Sequence, residues 1–263
     1  MHMEAGAYSE DRKHREREFH DDAFARNARQ SAWKYYAVTV RCRQRYTELI
    51  TAYGAGKRIL EYGCGQDSNA KVLAAHGAQV TSIDISSTAV EKARARAEEL
   101  GLADHMTFQV MDAENLTFAD ESFDLVCGTS VLHHLDLTLA YTEIARVLVP
   151  EGRAVFTEPL GSNKLINRYR RHTPHLRTVD EHPLLPADFT QARQFFKGVS
   201  VSYYNLVSLA AAPFRKTPVF PYLLYGLETL DAALFTIPAL RAQAWMSLIV
   251  LSHPYEKANA GRA

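Results

Sequence analysis

Residues 58–68 read Arg58-Ile59-Leu60-Glu61-Tyr62-Gly63-Cys64-Gly65-Gln66-Asp67-Ser68. A short apolar run ending on Gly-x-Gly predicts a buried strand and then a turn whose backbone can approach a ligand closely. Outward from it, four more runs of strand length follow: Gln79–Asp84, Met106–Met111, Phe123–Cys127 and Arg153–Thr157. Between the second and third, Val90, Ala93, Ala97 and Leu100 recur at helical spacing, opened by Thr88 with Glu91 three residues on and closed by Gly101. Leu137, Ala140, Ile144 and Val147 repeat the pattern between the fourth and fifth, up to Pro150 and Gly152. This rhythm predicts an α/β protein with a Rossmann-like, doubly wound parallel sheet. Val199–Asn205 and Ala244–Leu251 complete seven strands, with helical insertions after the fifth and between the last two. Upstream, Tyr8–Asp22 alternates acids and bases as a solvated helix does, and Trp33–Tyr53 predicts a second helix.

Composition narrows the function classes. The 263 residues are 47% hydrophobic and 23% charged, as in soluble globular proteins, and 30 basic residues balance 30 acidic ones. A nucleic-acid binder needs a basic excess, so none is expected here. Three cysteines, Cys42, Cys64 and Cys127, argue against a disulfide framework or a cysteine zinc site. Met1–Phe19 has no apolar stretch of a secretory signal, and the apolar region 206–251 is broken by prolines and charges. A cytoplasmic protein without a membrane span is the expectation.

At the carboxyl ends of the strands the sequence collects acids. Asp84 closes the second strand about 20 residues after the glycines, where a carboxylate can accept ribose hydroxyls. Asp112-Ala113-Glu114 follows the third, where an acid can meet an adenine amino group. Together these describe an adenosine site. Ser68 stands where a nicotinamide fingerprint wants Gly or Ala, and Glu61 and Asp67 flank the turn, where they would repel a diphosphate. An adenosine ligand with an amino group and no phosphate suits them better.

With these pieces the chain resembles class I S-adenosylmethionine-dependent methyltransferases, in the small-molecule group with the ubiquinone/menaquinone C-methyltransferases and bacterial natural-product methyltransferases. The resemblance covers 58–158 and rests on Ile59–Gly65, Ile83-Asp84, Asp112-Ala113, Phe123–Val126, Val131–Leu135 and Arg146–Gly152. Asp67 departs from it, since many members have a third glycine there. The resemblance implies that S-adenosylmethionine is the cofactor. Gly63, Cys64 and Gly65 would make room for its methionine part, Glu61 would orient its amino group, and Asp84 would hold the ribose. Ile85 would pack on the adenine and Asp112 with Ala113 read its edge; Thr129 and Tyr36 are counted with these contacts. The implied organisation is a helical N-terminal cap (1–54), a cofactor-binding core (55–160) and a C-terminal part with acceptor-side insertions (161–263).

Methyl transfer asks chiefly for alignment and exclusion of water, with a base where the acceptor must lose a proton. His133, His134, Glu158, His172, His175 and His182 fall where loops converge, with Glu158 and then His134 the candidate catalytic residues. Adjacent histidines cannot share one helical face, so no metal is expected. The segment 161–182 holds five Lys/Arg against Asp180 and Glu181. Arg170 and Arg171 are candidates for an anionic acceptor group, or else scaffold ion pairs. Tyr204 and the other aromatics of the last third would line an apolar acceptor pocket, or else form the insertion's own core or a homodimer surface. The expected acceptor is a small molecule, a bacterial specialised metabolite or isoprenoid-type compound. The competing classes are a nicotinamide-dependent oxidoreductase and a cofactor-binding regulatory protein without turnover.

Overall fold

The structure, a computed structural model, describes residues 2–25, 36–174 and 177–255, with the side chains of the first helix from Glu10 onward. His175 and the predicted helix start at Trp33 lie outside the described residues. Seven strands form one sheet: β1 (Arg58–Tyr62), β2 (Gln79–Asp84), β3 (Met106–Val110), β4 (Phe123–Thr129), β5 (Leu148–Pro159), β6 (Phe196–Tyr204) and β7 (Met246–Pro254). Their order is β3-β2-β1-β4-β5-β7-β6. The first five pair in parallel, and β7 runs antiparallel between β5 and β6. The doubly wound sheet is therefore present, and its order reverses between β1 and β4, where such sheets open a crevice at their carboxyl ends.

The described helices are α1 (His2–Ala25), α2 (Val40–Gly54), α3 (Lys71–Ala74), α4 (Ser87–Glu99), α5 (Leu137–Val147), α6 (Lys164–His172), α7 (Pro186–Ala192), α8 (Phe220–Leu234) and α9 (Pro238–Arg241). Strand residues alternate between two buried layers. Ile59 joins Leu125 under α2, α3 and α4, whereas Leu60 and Tyr62 join Val126 and Phe156 under α5 and α7. None of the described helices is long and apolar enough to cross a membrane.

Three local expectations are corrected. The cap of α4 is Ser86, whose Oγ accepts from Ala89 N at 3.1 Å, and not Thr88. Its end does fall at Gly101, where φ is +68° and Leu102 N donates to Ala97 O. Helix α5 does end at Val147, ahead of Pro150 and Gly152, but β5 starts at once at Leu148 and not at Arg153, its pairing with β4 jumping from Leu148 to Arg153 so that the proline breaks no bond to β4. Finally, α2 is a core helix rather than a cap: Cys42, Tyr46 and Ile50 are buried against the sheet. Helix α1 lies across the carboxyl edge of the sheet, where Ser86 Oγ donates to Asp21 at 2.5 Å and Lys92 Nζ to Phe24 O at 2.6 Å.

Candidate active site

The turn after β1 needs both its glycines. Gly63 and Gly65 have φ of +66° and +55°, and a Cβ on Gly63 would stand 3.0 Å from Val131 Cγ2. Cys64 N donates to Ile83 O at 3.1 Å, which ties this turn to β2. Asp84 then grips the turn from the other side, accepting from Gly65 N and from Ser86 N, each at 2.9 Å. A cavity of about 680 Å3 opens above, a size ordinary for small-molecule sites. Gly63, Cys64, Gly65, Asp84, Ile85, Asp112, Ala113, Thr129 and His134 all line it.

Two residues assigned to the cofactor by sequence stand elsewhere. Glu61 is buried behind the turn, where its carboxylate accepts from Ser68 Oγ (2.5 Å), Asn69 N (2.8 Å), Ala70 N (3.0 Å) and Ser82 Oγ (2.8 Å). Burial raises its pKa, with those hydrogen bonds pulling the other way. It shapes the turn from beneath. Tyr36 packs on Trp245, 5.6 Å between ring centroids, and does not line the cavity.

The first helix supplies what the sequence reading missed. Arg12, Lys13, Glu16, His20 and Phe24 recur at helical spacing on the face turned to the cavity, while Asp11, His14, Arg15, Arg17 and Glu18 face solvent. The expected solvated arm is thus half solvated. Lys13 Nζ reaches Asp112 Oδ2 at 2.7 Å, and Arg12 pairs with buried Glu114 at 2.5 Å and donates to His134 O at 2.6 Å. Phe24 covers Gly65. Mixed charge along a helix hides this inward face, because only the fold reveals which acids it meets. Ser130 was also missed: its φ of +56° is unusual for a residue with a side chain and swings 131–135 across the cavity mouth.

Glu158 lies fully buried beneath that segment and does not line the cavity. It accepts from Val131 N and Leu132 N at 2.9 Å and from His133 Nδ1 at 2.7 Å, so it positions the loop rather than meeting an acceptor. Burial pushes its pKa up to about 7 against those hydrogen bonds. His134 is pushed down to about 4, by burial first and by the neighbouring His133 second.

These shifts have opposite consequences for stability. The folded chain keeps the Glu158 proton longer than the unfolded chain does, so that contribution is full at low pH and is lost as pH rises from 4.5 to about 7. For His134 the contribution is full above 6.5 and is lost as pH falls to about 4. Glu158→Gln removes the first and keeps the second, so its stability relative to wild type should improve between about pH 5 and pH 7.5. Denaturation midpoints that keep a constant difference across that range would contradict the assignment.

The residues proposed for the acceptor do not converge on the cavity. Arg170 turns inward to donate to Leu160 O and Asn167 Oδ1, both at 2.9 Å, and burial lowers its pKa to about 10. Arg171 is exposed, and Tyr204 lines a separate cavity of about 460 Å3 with Arg41, Asp231 and Phe235. Arg15 and Asp180 form a two-bond ion pair, so the segment after α6 braces α1. Arg170→Gln should cost about 1–3 kcal/mol of stability and leave the KM for any acceptor unchanged, which thermal denaturation and steady-state kinetics would check.

Residues 60–156 match the family described as a methyltransferase domain. Over 101 residues the chain is 40% identical to 27-O-demethylrifamycin SV methyltransferase of Amycolatopsis mediterranei (strain S699), covering 38% of this chain and 37% of that protein. Over 143 residues it is 36% identical to O-methyltransferase cnsE of Penicillium expansum, covering 52% and 49%. The chain thus spans about half or less of the length of these curated relatives. Among solved structures, geranyl diphosphate C-methyltransferase from Streptomyces coelicolor A3(2) superposes with a TM-score of 0.57 over 81% of each chain at 14% identity, a likeness of fold. Residues 60–156 thus match a methyltransferase domain, and the fold around them is like that of a solved methyltransferase.

Proposed function

We propose that the cavity binds S-adenosylmethionine and that the chain methylates a hydroxyl of a small natural-product acceptor. The observation that carries this reading is the convergence of three strand-end turns on one cavity: the glycines after β1, Asp84 after β2 and Asp112 after β3. The names of the two curated relatives, which specify oxygen as the methylated atom, favour a hydroxyl. With no net charge, the chain is read as acting on a small molecule in the cytoplasm without a nucleic-acid partner.

In the reaction the acceptor oxygen bonds to the methyl carbon as the carbon–sulfur bond breaks. Sulfur keeps the electron pair, and the hydroxyl proton must leave. Of the two residues predicted for that proton, Glu158 does not reach the cavity and His134 is a weak base in its burial. Alignment and exclusion of water therefore carry most of the transfer, and acidification of the hydroxyl remains to be supplied.

Helix α1 closes this site through Arg12 and Lys13. Cofactor exchange requires it to lift, so hydrogen exchange over residues 10–25 should slow when S-adenosylmethionine binds. Exchange indifferent to the cofactor would rule out a lid. The proposal as a whole is tested by incubation with methyl-labelled S-adenosylmethionine and a panel of hydroxylated polyketides and terpenoids. Labelled ether with equimolar S-adenosylhomocysteine is expected. Binding with no transfer to any acceptor would point instead to a regulatory cofactor-binding protein.

A further inference from the structure

We infer that Glu16, His20 and His134 form a site for one divalent transition-metal cation at the seam between α1 and the segment after β4. One ligand atom from each lies within 4.8 Å of the other two. Glu16 Oε2 is 3.1 Å from His134 Nδ1 and 3.3 Å from His20 Nε2. Atoms bound at about 2.0–2.1 Å around a tetrahedral zinc stand about 3.3 Å apart, so these separations already match two edges of such a polyhedron.

The second observation is independent of that spacing. Glu16 and His134 are 4% and 8% exposed, yet Glu16 Oε2 and His134 Nδ1 make no hydrogen bond, their 3.1 Å approach being out of line for one. Buried polar atoms in folded proteins are nearly always paired, and an exception on facing atoms marks a place for an ion. The other carboxylate oxygen, Oε1, accepts from Thr178 Oγ1, which fixes the carboxylate and leaves Oε2 free. Glu16 and His20 are one helical turn apart on α1, and His134 is held to the same helix by the bond from Arg12 to its carbonyl.

Two imidazoles and one carboxylate favour a first-row cation of the zinc or cobalt type over magnesium. All three residues line the main cavity, so the remaining coordination positions face it and can take water or an acceptor oxygen. On the proposed methyltransferase reading, on which this role rests, such a cation would acidify the acceptor hydroxyl that neither Glu158 nor His134 is placed to deprotonate. The sequence argues against a metal because the two adjacent histidines cannot share a face. The structure draws the other two ligands from α1, far upstream.

The test uses the untagged full chain, stripped with a chelator and titrated with Co2+ while visible absorption is recorded. One Co2+ per chain with tetrahedral or five-coordinate bands, displaced by Zn2+ and not by millimolar Mg2+, is expected. Glu16→Gln, His20→Asn and His134→Asn should each weaken uptake at least tenfold, while His14→Ala, on the exposed face of the same helix, should not. Circular dichroism of each variant checks that it is folded. No uptake by the stripped chain, or uptake that survives all three substitutions, would overturn the site. S-adenosylmethionine binding measured on the metal-free chain separates the two proposals. Cofactor binding without cobalt uptake removes only the metal site, and cobalt uptake without cofactor binding removes only the methyltransferase reading.

Discussion

Asp84→Ala is expected to raise the Kd for S-adenosylmethionine by roughly ten- to hundredfold, about 1.5–3 kcal/mol, in a chain that still folds. Asp84 stands at the end of β2 with each carboxylate oxygen taking one backbone N–H, from Gly65 and Ser86. The side chain lines the cavity and is only half-buried. The proposed ribose hydroxyls would bond to it with two charge-assisted hydrogen bonds. Loss of the carboxylate removes those bonds and also frees the turn that shapes the methionine end. Asp84→Asn should fall between the two, since it keeps one acceptor without the charge. Calorimetric titration of both variants, with thermal midpoints recorded alongside, separates weakened binding from unfolding. Unchanged affinity in a folded Asp84→Ala chain would remove the ribose assignment.

Glu61→Ala is expected to have the largest effect on stability, about 3–5 kcal/mol, because several buried donors lose their acceptor at about 1–3 kcal/mol each. Four donors converge on this one buried carboxylate, and two of them are the Asn69 and Ala70 N–H groups that lead into α3. Alanine leaves Asn69 N and the Ser68 and Ser82 hydroxyls without this acceptor in the layer beside Ile59 and Leu125, while Ala70 N keeps only its 3.1 Å bond to Ser68 Oγ. Glu61→Gln preserves one acceptor but turns an amide N–H toward a donor, so a smaller loss is expected. Urea midpoints report the difference directly. A loss below about 1 kcal/mol for the alanine variant would mean that the turn is held by the backbone alone.

The sheet was legible because its strands carry period and punctuation that no tertiary contact reverses: Ile59 to Tyr62 before two glycines, Asp84 after a β-branched run, Gly101 after a helical period. The cofactor-side turns were legible for the same reason, since acids at strand ends have few other places to go. What escaped depends on contacts between distant segments. Glu61 carries the right residue type for an amine ligand, yet three of its donors come from the turn after β1 and the fourth, Ser82, from β2, which only the backbone path brings together beneath it. Glu158 sits at the carboxyl end of β5 as expected, but the strained Ser130 folds 131–135 over it. Arg170 has the chemistry to bind an anion and spends it on the carbonyl of Leu160. Helix α1 is the plainest case. Its charges alternate as on a solvated helix, and the half that faces Asp112, Glu114 and His134 cannot be told from the other half without those partners.

The central claim is that the cavity above Gly63 and Gly65 holds S-adenosylmethionine, and one calorimetric titration of the full chain addresses it. The account requires one saturable site per chain for S-adenosylmethionine, occupied equally by S-adenosylhomocysteine in competition, with no heat from NAD. Saturable binding of NAD that excludes S-adenosylmethionine, or no binding of either adenosyl compound by the folded chain, would contradict it.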